Sequence, residues 1–259
     1  MGTHSSPSGR HPRLTKNVAP GIHRLQHANV NCYLVEENNE ITVVDAAFPG
    51  TWAWLQRALT EIGYTPHDVR ALVITHGHFD HMGFASRLAG RFGADVWVHP
   101  EDKPLAAHPY RYRTERIPLL YPLRFPAILP VWGGMAAAGA LLVPGVDITR
   151  DLPTSGEVQV PGHPLVIFSP GHTFGHCALH FPDRDALITG DALVTLDPYT
   201  GRRGFQIVAG GATANSNLAL SSLSALAATD ATIVLPGHGE SSRAGIRAAA
   251  AAALAAGAS

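Results

Sequence analysis

The chain predicts an α/β fold of four layers, an αββα sandwich in which two mixed β-sheets pack face to face with helices outside. Three observations carry this reading. Short β-rich runs open each half of the chain, amphipathic helical patterns follow those runs, and 46% of the 259 residues are hydrophobic against 15% charged. That is enough apolar side chain for one substantial core, and it excludes wholesale disorder. The 19 Lys and Arg against 20 Asp and Glu give a formal charge of −1, which argues against a nucleic-acid partner. Cys32 and Cys177 are too few for a disulfide framework and enough for at most one bridge. A reducing, cytoplasmic setting is the simpler expectation.

Residues 1–20 read as a flexible leader, because MGTHSSPSGRHPRLTKN has no apolar stretch of the kind a secretory signal needs. A single domain is expected over 21–259. From Gly21 the runs GIHRLQHA, VNCYLVEE and ITVVDAAFPG predict consecutive antiparallel strands closed by a Pro-Gly turn. Thr51 to Gly63 predicts a helix with Thr51 as its cap, Trp54, Leu55, Ala58, Leu59 and Ile62 on one face, and Gly63 as its stop. ALVIT (71–75) is a buried strand leading into a histidine-rich turn, 82–93 a helix and 94–100 a strand. The second half repeats the grammar. VQV (158–160), PLVIF, CALHF, ALIT and TIVL read as strands, 214–228 as a helix, and an Ala-rich helix starts at about Ser241.

Residues 101–156 interrupt this grammar with eight prolines and long apolar stretches, and predict an insertion of short helices and turns. Such a loop serves either as a lid or as an extension of the core. Within it, Ile117 to Val146 carries one charge, Arg124, but Pro118, Pro122, Pro126 and Pro130 recur every four residues. That argues against a spanning helix, so no stable membrane insertion is expected.

With 15 His and 2 Cys, a metal site here would use imidazole and carboxylate. After ALVIT the chain reads His76, Gly77, His78, Phe79, Asp80, His81. In extended backbone i and i+2 point the same way, so His76 and His78 can grip one ion, while a tight turn swings Asp80 and His81 toward a second. Gly77 and Gly83 are expected to supply the conformational freedom that crowding needs. Three more strand-end loops carry His172, Asp191 and His238. Five His and two Asp suffice for two divalent ions, each with three protein ligands, one bridging carboxylate and a shared hydroxide.

His76, His78, Asp80 and His81 reproduce the H-x-H-x-D-H motif, and with His172, Asp191 and His238 in family order the chain resembles the metallo-β-lactamase fold superfamily over roughly residues 21–240. The resemblance implies a first metal site of His76, His78 and His172, a second of Asp80, His81 and His238, and Asp191 bridging. Zinc is the ion it favours, with iron or manganese as alternatives, and Asp80 doubles as a proton shuttle. Asp45 stands where the family has a strand-end Asp that fixes a ligand imidazole; a turn or capping Asp is the other reading. His99, His176 and His180 read as structural histidines, and Cys177 has no base beside it to make it a nucleophile. Arg111, Arg113 and Arg116 with Tyr110 and Tyr112 read as a solvated face, although an anion site of carboxylate or phosphate is the alternative.

β-Lactam-opening members use Cys or Ser where this chain has Asp191, so the resemblance points to the hydroxyacylglutathione hydrolase, lactonase, thioesterase and phosphodiesterase branches. Homoserine-lactone enzymes place a Tyr where this chain has Val194. Glutathione thioesterases add a helical C-terminal domain, whereas 21 residues follow His238 here. Phosphodiester and RNA-processing relatives need basic surface. The expected reaction is hydroxide attack on a thioester, ester or lactone with an apolar acyl part, in a small-molecule substrate capped by Tyr121, Phe125 and Trp132. The alternatives are iron-dependent persulfide oxidation, a phosphodiesterase of the same fold, and a non-catalytic binding protein. Oligomeric state is not read from the sequence.

Overall fold

A computed structural model describes residues 12–146 and 150–259. In chain order the main elements are β1 (Arg13–Ala19), β2 (Ile22–His27), β3 (Val30–Glu37), β4 (Glu40–Val44), α1 (Trp52–Ile62), β5 (Val69–Val73), α2 (Ala85–Phe92), β6 (Asp95–Val98), α3 (Lys103–Ala107), α4 (Tyr121–Arg124), α5 (Leu129–Ala137), β7 (Arg150–Asp151), β8 (Ser155–Glu157), β9 (Leu165–Phe168), β10 (Cys177–Phe181), β11 (Ala186–Gly190), β12 (Val194–Leu196), β13 (Arg203–Gln206), α6 (Ser216–Ala227), β14 (Ile233–Pro236) and α7 (Ile246–Ala256).

Seven strands in sequential order, β1 to β7, form the first sheet; β14-β11-β10-β9-β8 form the second, and β12 and β13 a small ribbon. The first four strands of the larger sheet are antiparallel, and pairing becomes parallel from β4 onward, where α1 and α2 supply the crossovers. The layers follow from side-chain alternation. Along β3, Cys32 and Leu34 face α1 and α2 with Leu55, Leu59 and Leu88, while Tyr33 and Val35 face the second sheet and meet Leu179 and Ile188. Along β11, Ile188 joins that inter-sheet core, and Leu187 turns outward to Leu223, Leu226 and Ile246 on α6 and α7. Helix, sheet, sheet and helix therefore stack as the periodicity predicts.

Five local expectations are corrected. The leader does not extend to residue 20: Arg13–Ala19 is a strand paired antiparallel with β2, burying Leu14 against the helix-side core and Val18 and Ala19 against the inter-sheet core; residues 1–11 lie outside the described residues. Thr51 does not cap α1 through its side chain; its hydroxyl accepts from Phe48 N at 3.2 Å. Val158 and Val160 are buried between the sheets, but they sit in a turn before Pro161 and Gly162, and the strand lies earlier, at β8. The last helix begins at Ile246, because Ser242 first pairs with Val234. The insertion holds α3, α4, α5 and 3-10 turns as expected, but its expected end at 156 is too late, because β7 and β8 at 150–157 already pair in the two sheets. Among the described residues no helix is long and apolar enough to cross a membrane.

Candidate metal centre

Every residue of the predicted constellation lies just past a strand end, where the chain leaves a sheet. After β5 the chain bends at His76 and runs extended through His78; a 3-10 turn at Phe79–His81 then reverses the chain and brings Asp80 and His81 inward. His172 follows β9, Asp191 follows β11 and His238 follows β14. Gly77 and Gly83 serve by their lack of a side chain rather than by conformation. Neither has positive φ, and a Cβ would sit 2.5 Å from Leu105 Cβ at Gly77 and 2.2 Å from the Phe48 backbone at Gly83.

The seven side chains converge. Three groups, His76 with His78 and His172, His76 with His81 and Asp191, and Asp80 with His81 and His238, each hold their donor atoms within 4.8 Å of one another. Asp191 is central: its Oδ2 lies 3.1 Å from His238 Nε2, 3.5 Å from His172 Nε2 and 3.9 Å from His76 Nε2, and its Oδ1 lies 3.6 Å from His81 Nε2. Asp80 Oδ2 lies 3.4 Å from His238 Nε2. The Nε2 atoms of all five histidines and Asp191 Oδ1 are buried without a hydrogen-bond partner. Each such atom costs about 1–3 kcal/mol in a dry interior. A divalent cation relieves a convergent set of this kind, so these residues fit the group.

The opposite ring nitrogens of four of the five, His76, His81, His172 and His238, are tied down. His81 Nδ1 donates to Asp45 Oδ2 at 2.9 Å, and Asp45 also accepts from Thr75 N and from Thr75 Oγ1. Thr75 Oγ1 in turn faces His76 Nδ1 at 3.0 Å, so a single carboxylate orients two imidazoles. His172 Nδ1 meets Thr213 Oγ1, which donates to Val208 O, and His238 Nδ1 meets Asn29 O. These contacts leave Nε2 facing the cluster, as ligand imidazoles require.

The loops themselves are braced by groups that sequence reasoning missed. Buried Asp102 accepts from Gly77 N (2.9 Å), Thr173 Oγ1 (2.7 Å) and Gly175 N (2.9 Å), joining the His76–His78 segment to the His172 loop. Asn31 donates to Pro236 O and Gly239 O on either side of His238. His176, read as structural, accepts from Asp191 N through Nε2, and its Nδ1 meets Ser169 Oγ. Any signal for these groups lay in Asp, Asn and Thr beside or between ligand motifs, a pattern too common in loops to single out.

Electrostatics divide the cluster. Burial, reinforced by neighbouring imidazoles, holds His76 and His172 well below the ordinary histidine value, and burial brings His78 down to about 4. Burial alone would lower His81 and His238 too, but carboxylates outweigh it: Asp191, Asp45 and Asp80 raise His81 well above the ordinary value, and Asp191 and Asp80 raise His238 to about 10.

A cavity of about 270 Å³ opens onto the cluster, with His78, Asp80, His172, Asp191 and His238 on its floor. Its wall is apolar and aromatic, built from Phe79, Tyr110, Tyr112, Trp132, Met135, Leu141 and Tyr199 among others. Of the three expected lid residues, only Trp132 lines it, its Nε1 donating to Pro198 O. Tyr121 and Phe125 instead pack behind the wall, Tyr121 edge-on to Tyr199 at 5.5 Å between ring centres. A proline at 122 and another at 126 fold this turn so that the aromatics point inward. Tyr112 is not part of a solvated face: it stands against the His78 ring at 4.2 Å, and its hydroxyl lies 3.4 Å from that of Tyr199, whereas Tyr110 lines the cavity and is also exposed at its rim. Val194, where lactonases carry a Tyr, is buried in that same packing layer.

Two face-to-face mixed sheets, with a five-histidine, two-aspartate cluster at their strand ends, define a metallohydrolase-type scaffold, and the sequence model of the metallo-beta-lactamase superfamily matches residues 26–238. The chain belongs to that superfamily. It is 27% identical over 188 residues to the probable metallo-hydrolase YflN of Bacillus subtilis (strain 168), covering 70% of this chain and 67% of the relative. Its fold matches the crystal structure of a metallo-beta-lactamase family protein, TTHA1429, from Thermus thermophilus with a TM-score of 0.65 at 23% identity, over 92% of this chain and 79% of that one. TTHA1623 in a di-iron-bound form matches with a TM-score of 0.60 at 25% identity, over 92% and 96%.

Proposed function

We propose that this protein hydrolyses a thioester, ester or lactone whose acyl part is apolar, using two divalent metal ions held by His76, His78 and His172 and by Asp80, His81 and His238, with Asp191 between them. The observation that carries the reading is the junction of an apolar, aromatic cavity with a floor of convergent, unpartnered imidazole nitrogens. When bound, two such ions supply Lewis acidity and an ionised water at neutral pH. The rest falls to the chain. Trp132, Met135 and Leu141 exclude water and seat the acyl part, and Tyr112 and Tyr199 offer neutral hydroxyl donors beside His78. Burial pushes both phenols up, so they stay protonated through the physiological range. Asp80, on the cavity floor, places a carboxylate where it can take the proton of the attacking water and return it to the leaving group.

Two observations favour this reading over its alternatives. No Lys or Arg lines the cavity among the described residues, which disfavours a phosphodiester. All three side chains of the second group converge as fully as those of the first, which favours two ions over the single iron of a persulfide oxygenase. YflN carries the name of a probable metallo-hydrolase, consistent with this class. Zinc is our first assignment, and the di-iron form of TTHA1623 makes iron the second ion to test. The test is turnover by zinc-reconstituted and iron-reconstituted protein of acyl thioesters of graded length, aryl esters, lactones, a chromogenic β-lactam and a phosphodiester, with His76→Ala as control and oxygen uptake recorded. Zinc-dependent turnover that rises with acyl length is expected. Oxygen uptake by the iron form, or a preference for the phosphodiester, overturns the reading.

A further inference from the structure

Eight of the ten exposed large hydrophobic side chains among the described residues lie between Tyr110 and Leu142. Leu119, Leu120 and Leu123 are 77%, 54% and 82% exposed on a 3-10 turn that runs into α4. Spacings of three and four place them on one face of that turn. Tyr121, on the same turn, points inward and packs on Tyr199, which lines the cavity, so the leucine face stands one layer of side chains outside the cavity wall. Leu141 belongs to both surfaces, 75% exposed and lining the cavity. A monomeric surface rarely leaves apolar side chains so concentrated without a partner.

Charge identifies the partner. Between His108 and Val146 the chain carries Arg111, Arg113, Arg116 and Arg124 against one acid, Glu115, although the whole chain is nearly neutral. All four arginines are exposed, and none has a carboxylate within ion-pair distance among the described residues. Glu115 is engaged by Ser216, whose N and Oγ both donate to it. Arg124 follows Leu120 by four residues and shares its face. A second copy docked on this patch would set arginine against arginine, whereas a phosphate-bearing lipid surface complements both the leucines and the arginines.

We propose that the outer face of the 101–156 insertion attaches the protein peripherally to an anionic phospholipid surface, with Leu119, Leu120 and Leu123 entering the headgroup region and arginines of the same segment meeting lipid phosphates. The attachment is interfacial and spans nothing. It does not depend on the reaction proposed above, because its readout needs no turnover.

The test is co-sedimentation of the full chain with vesicles of equimolar phosphatidylcholine and phosphatidylglycerol, and with vesicles of phosphatidylcholine alone, alongside the molar mass in solution. Binding to the anionic vesicles is expected, weakened by salt. It should fall more than about tenfold in Leu119→Ser/Leu120→Ser/Leu123→Ser and in Arg111→Gln/Arg124→Gln, since each basic residue near such a surface contributes about fivefold. These side chains are exposed, so both variants should keep the thermal midpoint of the parent. Equal binding to both vesicles, no binding to either, or a stable dimer that the leucine variant dissociates would each overturn the proposal.

Discussion

The carboxylate of Asp45 accepts a hydrogen bond from His81 Nδ1 at 2.9 Å and fixes that imidazole with Nε2 toward Asp191. Asp45 does this from left-handed backbone, φ +62°, in a buried position. Asn is the side chain that best tolerates that conformation, so Asp45→Asn keeps the backbone and removes the charge. We expect it to fold and to bind the second ion about 10–100-fold more weakly. Metal stoichiometry by titration with a chromophoric chelator reads this, and unchanged affinity would reduce Asp45 to a turn residue.

Asp102 should matter to the first ion instead. It ties Gly77, between His76 and His78, to Thr173 and Gly175 beside His172. Asp102→Ala leaves three donors without their acceptor, and a loss of about 2–4 kcal/mol in unfolding free energy follows from such a deletion. Thr173→Val removes one of the three bonds with little change of shape. It should perturb the cobalt absorption spectrum of the first position while leaving the second unaltered; identical perturbation of both would contradict the assignment.

Metal loading should depend on pH unequally at the two positions. Without an ion, His81 and His238 are raised and carry protons at neutral pH, whereas His76, His78 and His172 are lowered and do not. An ion at the second position must displace those protons, so its affinity falls as pH falls, while the first position changes little until well below neutrality. Calorimetric titration in buffers of different ionisation enthalpy should show more proton release with the second ion than with the first, and equal release would contradict the assignment.

The cavity wall predicts which aromatic governs substrate length. Trp132→Ala removes an apolar wall and should raise KM for long acyl chains about tenfold, with little effect on short ones. Phe125→Leu, behind the wall, should affect stability before it affects KM. A Phe125 effect on long substrates equal to that of Trp132 would restore the broader lid.

The two thiols should be silent. Cys32 and Cys177 are both free and buried, and burial raises both above the ordinary thiol value. A thiol reagent such as Ellman's should label neither in the native protein, with or without a chelator, and both once it unfolds. Rapid native labelling of Cys177 would reveal an opening at the start of β10 that the packing does not predict.

What the sequence made legible was whatever has a local signature. Alternation along VNCYLVEE assigns its two faces without ambiguity, and the four ligand loops announce themselves because each joins an apolar strand to His or Asp. Less legible were relationships that only the closed fold creates. Asp102 lies 25 residues from Gly77 and 73 from Gly175, and nothing in their spacing links them. Tyr112 and Tyr199 meet across 87 residues. The error at Tyr121 and Phe125 has the same origin: apolar character in a proline-rich segment says that a side chain is buried, but not on which side of a wall. Val158 and Val160 misled through alternation that a turn can also satisfy.

The two sheets contribute unequally in time to the cluster between them. His76, His78, Asp80 and His81 follow β5 of the first sheet, and His172, Asp191 and His238 follow strands of the second, the last of them after β14. A nascent chain therefore presents one complete imidazole trio once residue 172 has left the ribosome, yet it cannot close the second trio until β14 has been made and has paired with β11. Closure of the second group therefore waits on β14, and a chain cut short before residue 238 would keep the first trio and Asp191 but lack the histidine that joins Asp80 and His81.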